Sequence, residues 1–72
     1  MDENSILSEL DNRARTLHPE QSYVIQTGQG KFLYFSMENN NPLVEFTVMM
    51  MRTGLNDFQL QVEEFDYRNK LL

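Results

Sequence analysis

The chain has no cysteine and a single histidine, His18. The first absence excludes disulfides and thiolate metal sites. The second leaves no ligand set for a compact histidine-based zinc or haem centre, so no metal and no cofactor is expected. No apolar run approaches the roughly 20 residues that a membrane helix needs. The first residues, Met1-Asp2-Glu3-Asn4, are acidic where a secretory signal carries basic and then apolar residues. Bases are scarce, 6 against 11 acids, for a formal net charge of −5. Arg13, Arg15, Lys31, Arg52, Arg68 and Lys70 are scattered and form no patch of the kind that displaces counterions from a nucleic acid. The expectation is an acidic, cytoplasmic protein with no nucleic-acid, membrane or small-molecule partner.

What is present fits one domain spanning residues 1–72. In a chain so short, burial worth roughly 25 cal/mol per Å² is nearly cancelled by an ordering cost of roughly 1.5 kcal/mol per residue. Small domains therefore lean on a staple. With disulfides and metals set aside, self-association or a partner remains.

Residues 3–17 read as a helix. Leu7, Leu10, Ala14 and Leu17, with Ile6 beside them, form a narrow apolar stripe. Asn4 or Ser5 is expected to cap it, with Asp2, Glu3 and Glu9 toward the positive end of its dipole. Glu9 and Arg13 are an i,i+4 pair in the favourable order. Pro19 stops the helix, because it pushes His18 out of the α region.

From Gln21 the period is two. Strands are expected over 22–27, 31–37, 43–52 and 57–63. They are joined by Gly28-Gln29-Gly30, by Glu38-Asn39-Asn40-Asn41-Pro42, and by Thr53-Gly54-Leu55-Asn56. Connections this short make neighbours antiparallel. The predicted fold class is α+β: an N-terminal helix packed on one face of a four-stranded antiparallel β-meander. After Val62 the pattern changes. Phe65 and Tyr67 fall on the face that had been polar, so either a bulge flips the strand as it continues extended or a short helical turn begins near Glu64, uniting Phe65, Arg68 and Leu72.

The helix shields one face, expected to hold Tyr23, Ile25, Val44, Phe46, Val48, Phe58, Leu60 and Val62. The second strand is apolar on both faces: Phe32 and Tyr34 point one way, and Leu33, Phe35 and Met37 the other. In the third strand Met49 and Met51 oppose Val48 and Met50. A sheet with one solvated face alternates more cleanly. The surplus predicts a second surface that something covers. Leu33, Phe35, Met49 and Met51 are its candidate partner-binding residues, with Glu45 and Thr47 as polar contacts on the same face. Thioethers suit such a surface because they repack around varied shapes.

Chemical motifs are sparse. Gly28-Gln29-Gly30-Lys31 has the ending of a phosphate-binding loop, but Phe32 replaces the hydroxyl residue and a strand follows, so it reads as a hairpin turn. His18 has no adjacent nucleophile or orienting acid and reads as a helix-terminal residue near the last carbonyls. Glu63 and Glu64 face opposite ways in a strand, whereas Glu64 and Asp66 share a side. No catalytic residue is assigned. A pocket holding His18, Glu64 and Asp66 together would reopen an enzymatic reading. The aromatics Tyr23, Phe32, Tyr34 and Phe35 lack the surrounding bases of a base-stacking sheet.

The sequence therefore predicts a non-enzymatic protein-interaction module (an accessory, adaptor or regulatory subunit) that binds a protein partner or its own copy through an apolar sheet face. Two rivals are weighed beside it. One is an acidic inhibitor or nucleic-acid mimic, which requires Asp2, Glu3, Glu9, Asp11, Glu63, Glu64 and Asp66 to line one face. The other is a small assembly or export chaperone that holds a client along a strand edge.

Overall fold

The computed structural model describes residues 3–70. Asp2, expected in an acidic cluster, and Leu71 and Leu72, expected in the tail, lie outside the described residues, as does Met1. Helix α1 (Glu3–Leu17) is followed by β1 (Ser22–Gly28), β2 (Lys31–Ser36), β3 (Pro42–Arg52), β4 (Phe58–Asp66) and a helical turn, α2 (Tyr67–Lys70). The strands form one antiparallel sheet in the order β1-β2-β3-β4. This is the helix-plus-meander architecture that the periodicities predict.

Leu10 and Ala14 seat α1 on Phe32, Tyr34, Leu43, Val44 and Phe46, with Ile6, Leu7, Val48 and Val62 packed around them. The Tyr34 ring meets Phe46 edge-on at 5.7 Å, a favoured aromatic geometry. The Tyr34 hydroxyl donates to the Asp11 carboxyl and ties the middle of α1 to the sheet. Leu17, counted in the apolar stripe, is exposed at the helix end. Asn4 and Ser5 lie inside the first turn and are not caps, because the helix already begins at Glu3. At the other end the His18 amide still donates to Ala14 O at 2.8 Å before Pro19 ends the ladder.

Two irregularities set which residues face the helix. Between β1 and β2 the register skips Thr27, and between β2 and β3 it skips Leu43. The second bulge turns Leu43 inward beside Val44, so that both are buried. The turn before β2 requires glycine. Gly30 has φ 69°, and a Cβ there would stand 2.6 Å from the Val48 carbonyl oxygen. That close approach accompanies a 2.7 Å bond from the Val48 amide to Gly30 O.

One face assignment is corrected. Tyr23 pairs with Phe35 and Ile25 with Leu33, so Tyr23 and Ile25 lie on the face away from α1. Val24 and Gln26, opposite Tyr34 and Phe32, take the helix side. Period-two reading gives alternation but not its phase, and a one-residue change of phase exchanges the faces. The tail stays extended without the expected bulge, and its helical turn begins at Tyr67 rather than near Glu64. β4 keeps unbroken register to Asp66, and α2 then begins.

Candidate interaction surface

Directly opposed residues share a face, so strand register defines the surface turned away from α1. One row runs Ile25, Leu33, Glu45, Phe65. The next runs Lys31, Thr47, Glu63. Beyond them come Met49 with Gln61 and Met51 with Gln59. Leu33, Phe35, Glu45, Thr47, Met49 and Met51, singled out from the sequence, thus occupy one side of the sheet. Leu33, Phe35, Glu45 and Thr47 are half-buried by their neighbours, whereas Met49 and Met51 are exposed.

The structure adds Tyr23, Ile25 and Phe65 to this side. Tyr23 stacks on Phe35 with ring centroids 5.4 Å apart, and its hydroxyl donates to Asn40 Oδ1 at 3.1 Å. Phe65 meets Tyr67 edge-on at 4.8 Å. The sequence carried a signal for Phe65, since it has the parity of Gln59, Gln61 and Glu63. For Tyr23 and Ile25 the only signal was the glycine-flanked turn, whose bulge sets their phase.

The surface has two zones. Tyr23, Ile25, Leu33, Phe35 and Phe65 form an apolar end spanning β1, β2 and β4. The methionines occupy a projecting ribbon: β2 pairs with β3 only up to Thr47, so Met49–Arg52 have β4 as their sole strand partner. The ribbon gives the molecule its long axis, 45 Å against 25 and 22 Å. It is apolar on its other side too, where Met50 and Phe58 are exposed. Its turn is held by Arg52, which donates to Gly54 O at 3.0 Å and Leu55 O at 2.9 Å.

At the end of the sheet away from the ribbon, the helix side is polar and closed. His18 Nε2 and Asp66 Oδ1 are 3.0 Å apart, and both side chains are largely buried. Asp66 Oδ1 also accepts the Arg68 amide at 3.0 Å, so the ring nitrogen serves as donor and Asp66 caps α2. Arg68 Nη1 reaches Glu20 Oε1 at 2.6 Å. The other Glu20 oxygen accepts Ser36 Oγ at 3.1 Å, and Ser36 Oγ accepts the Glu38 amide at 3.2 Å. This chain latches the end of α1, the connector, β2, β4 and α2 together. His18 therefore bonds a carboxylate rather than the helix carbonyls expected of it.

His18 and Asp66 do meet, but neither lines the two hollows beside β1 and α1. A hollow of about 360 Å³ beside β1 is walled by Asp11, Arg15, Glu20, Tyr23 and Tyr34, without either of them. Glu64 lines a different, shallow hollow with Asn12, Arg13 and Thr16. The acids are likewise dispersed: Glu63 lies on the open face, Glu64 and Asp66 on the helix side, Glu9 is paired with Arg13 and Asp11 with Tyr34. Burial, with the Asp11 bond and charge added, pushes the Tyr34 phenol well above the ordinary tyrosine range.

No protein-family model matches the chain, and comparison with curated proteins and with solved structures gives no significant match.

Proposed function

We propose that the chain is a non-enzymatic protein-interaction module, of an accessory, adaptor or regulatory kind, that buries its open sheet face against a protein partner. The observation that carries this reading is the coexistence of a fully formed core on one side of the sheet with Tyr23, Ile25, Leu33, Phe35, Met49, Met51 and Phe65 on the other. Side chains of that type are the usual material of an interface centre, and here the row Lys31, Thr47, Glu63 parts them into two zones of one face. Lys31, Glu45 and Glu63 on the same side supply few charges, which suits orientation more than attraction. A cysteine-free chain suits a reducing compartment, and the cytoplasm is the proposed setting. Dispersal of the described acids over both faces speaks against a phosphate-row mimic, and the closure of His18 on Asp66 speaks against acid–base chemistry.

The test is paired affinity capture from native cell extract with the wild-type chain and with Met49→Glu. Met49 is exposed, so the variant should melt with the wild type. The expected result is a protein retained by the wild type and lost with the variant. Identical capture by both would sink the reading.

A further inference from the structure

The two edges of the sheet differ in a way that the face alone does not reveal. Edge strands present unpaired backbone groups, and proteins blunt them with charges, proline or bulges. β4 carries Glu63, Glu64 and Asp66, whereas β1, Ser-Tyr-Val-Ile-Gln-Thr-Gly, carries no charge and no proline. In β1 Val24, Ile25, Gln26 and Thr27 are all exposed, and its bulge comes only at the end, at Thr27.

The hydrogen-bond phase shows which groups are free. The Met37 amide donates to Gln21 O on the β1 side at 3.0 Å, and the Ser36 amide to Asn41 O on the β3 side at 2.9 Å. Antiparallel bonding alternates along a strand. Leu33 and Phe35 therefore exchange bonds with Ile25 and Tyr23. Ser22, Val24 and Gln26 aim their amides and carbonyls away from the sheet, and among the described residues no other strand pairs there.

The segment Ser22-Tyr23-Val24-Ile25-Gln26 is also symmetric in chemical type about Val24: polar, apolar, apolar, apolar, polar. We infer that β1 pairs antiparallel with β1 of a second copy of this chain, on a two-fold axis at Val24, to give one continuous eight-stranded sheet. In that register Val24 opposes Val24, Ser22 opposes Gln26, and Tyr23 opposes Ile25. The outward groups of Ser22, Val24 and Gln26 then form about six main-chain bonds. Tyr23 and Ile25 fall in the closer, non-bonded pairs, where aromatic and β-branched side chains gain most.

Charge does not bar a second copy at this edge. Each chain has a net charge of −5, so two copies repel, least where neither brings a charge. Every cross-strand pair of this register is neutral, which β4 against β4 would not give. The pairing also joins the apolar ends of two open faces into a single area. It stands apart from the reading of the face, since it uses backbone groups at the edge.

Sedimentation or light-scattering mass of the purified chain tests it. The wild type is expected at twice the 8.6 kDa chain mass. Val24→Pro removes only an outward amide, a change tolerated on edge strands, and should give the single-chain mass. Should Val24→Pro fail to fold, Val24→Lys and Val24→Glu decide. Each alone should be monomeric, because like charges meet at the axis, and an equimolar mixture should regain the double mass. A monomeric wild type overturns the inference, as does a Val24→Lys dimer or a mixture that stays monomeric. A dimer that survives Val24→Lys but is lost with Phe35→Glu would move self-association to the open face. Identical capture by wild type and Met49→Glu with the dimer intact sinks the reading of the face alone, whereas capture lost with Met49→Glu from a monomeric wild type sinks the edge alone.

Discussion

The two halves of β3 make the instructive contrast. In the first half Leu43, Val44 and Phe46 are almost wholly enclosed. In the second, Met49, Met50 and Met51 keep 40, 57 and 51% of their surface exposed. Both halves are β-strand, and both are apolar at consecutive positions. They differ in what lies beside them: the first is flanked by β2 and β4 and roofed by α1, the second only by β4. An apolar sequence becomes core where the topology supplies neighbours and remains exposed where it does not. A two-stranded ribbon is marginal in water, so folding free energy is concentrated at one end of the molecule while exposed apolar side chains extend to the other.

The largest expected effect breaks the enclosed half. Phe46→Ala should destabilise by about 3–5 kcal/mol. That matches the roughly 3–5 kcal/mol that a core of this size supplies, so the variant should be mostly unfolded by circular dichroism at room temperature. A urea midpoint near that of the wild type would refute the contrast.

The next sharpens how α1 is held over that half. Tyr34→Phe removes the bond to Asp11 and should cost about 1–2 kcal/mol. It also changes the response to pH. The folded Tyr34 resists ionisation, whereas an unfolded tyrosine loses its proton near pH ~10. Above that pH the unfolded state binds fewer protons, so stability is full below it and falls as pH rises through it. The alkaline loss should be shallower in Tyr34→Phe, as read from urea midpoints between neutral and strongly alkaline pH. Equal slopes would remove Asp11–Tyr34 as the anchor.

The smallest effect belongs to the ribbon. Met50→Ala should shift stability by no more than about 0.5 kcal/mol. Amides of Met49–Arg52 engaged with β4 should exchange faster than those of Val44–Thr47. Equal protection along β3 would mean that the ribbon is supported as firmly as the core.

Much of the architecture was legible because it rests on local periodicity. The 3–17 helix, the strands and the meander order follow from spacing and turn residues alone. Parity within a strand also groups Leu33 with Phe35, and Glu45 with Thr47, Met49 and Met51, since it survives any register; that the two groups share a face rests on the pairing of β2 with β3. What failed to transfer was parity between strands. Thr27 is the extra residue of a bulge, and nothing in Gln26-Thr27-Gly28-Gln29-Gly30 marks where the extra residue falls. Tyr23 and Ile25 were consequently assigned to the wrong side. The Asn4 or Ser5 cap missed because α1 begins at Glu3, one residue before Asn4.

Sequence by itself determined the small acidic α+β meander, the lack of thiol chemistry and the excess of apolar side chains in β2 and β3, because each is written in residue type and in spacings of a few residues. Only the tertiary structure decided that Tyr23, Ile25 and Phe65 join that excess, that His18 closes on Asp66 across the molecule, and that β1 is an edge with outward backbone groups and no charge to guard it. Those properties depend on bulge positions and on which strand lies beside which. They arise from contacts between residues far apart in the chain, to which local spacing is blind.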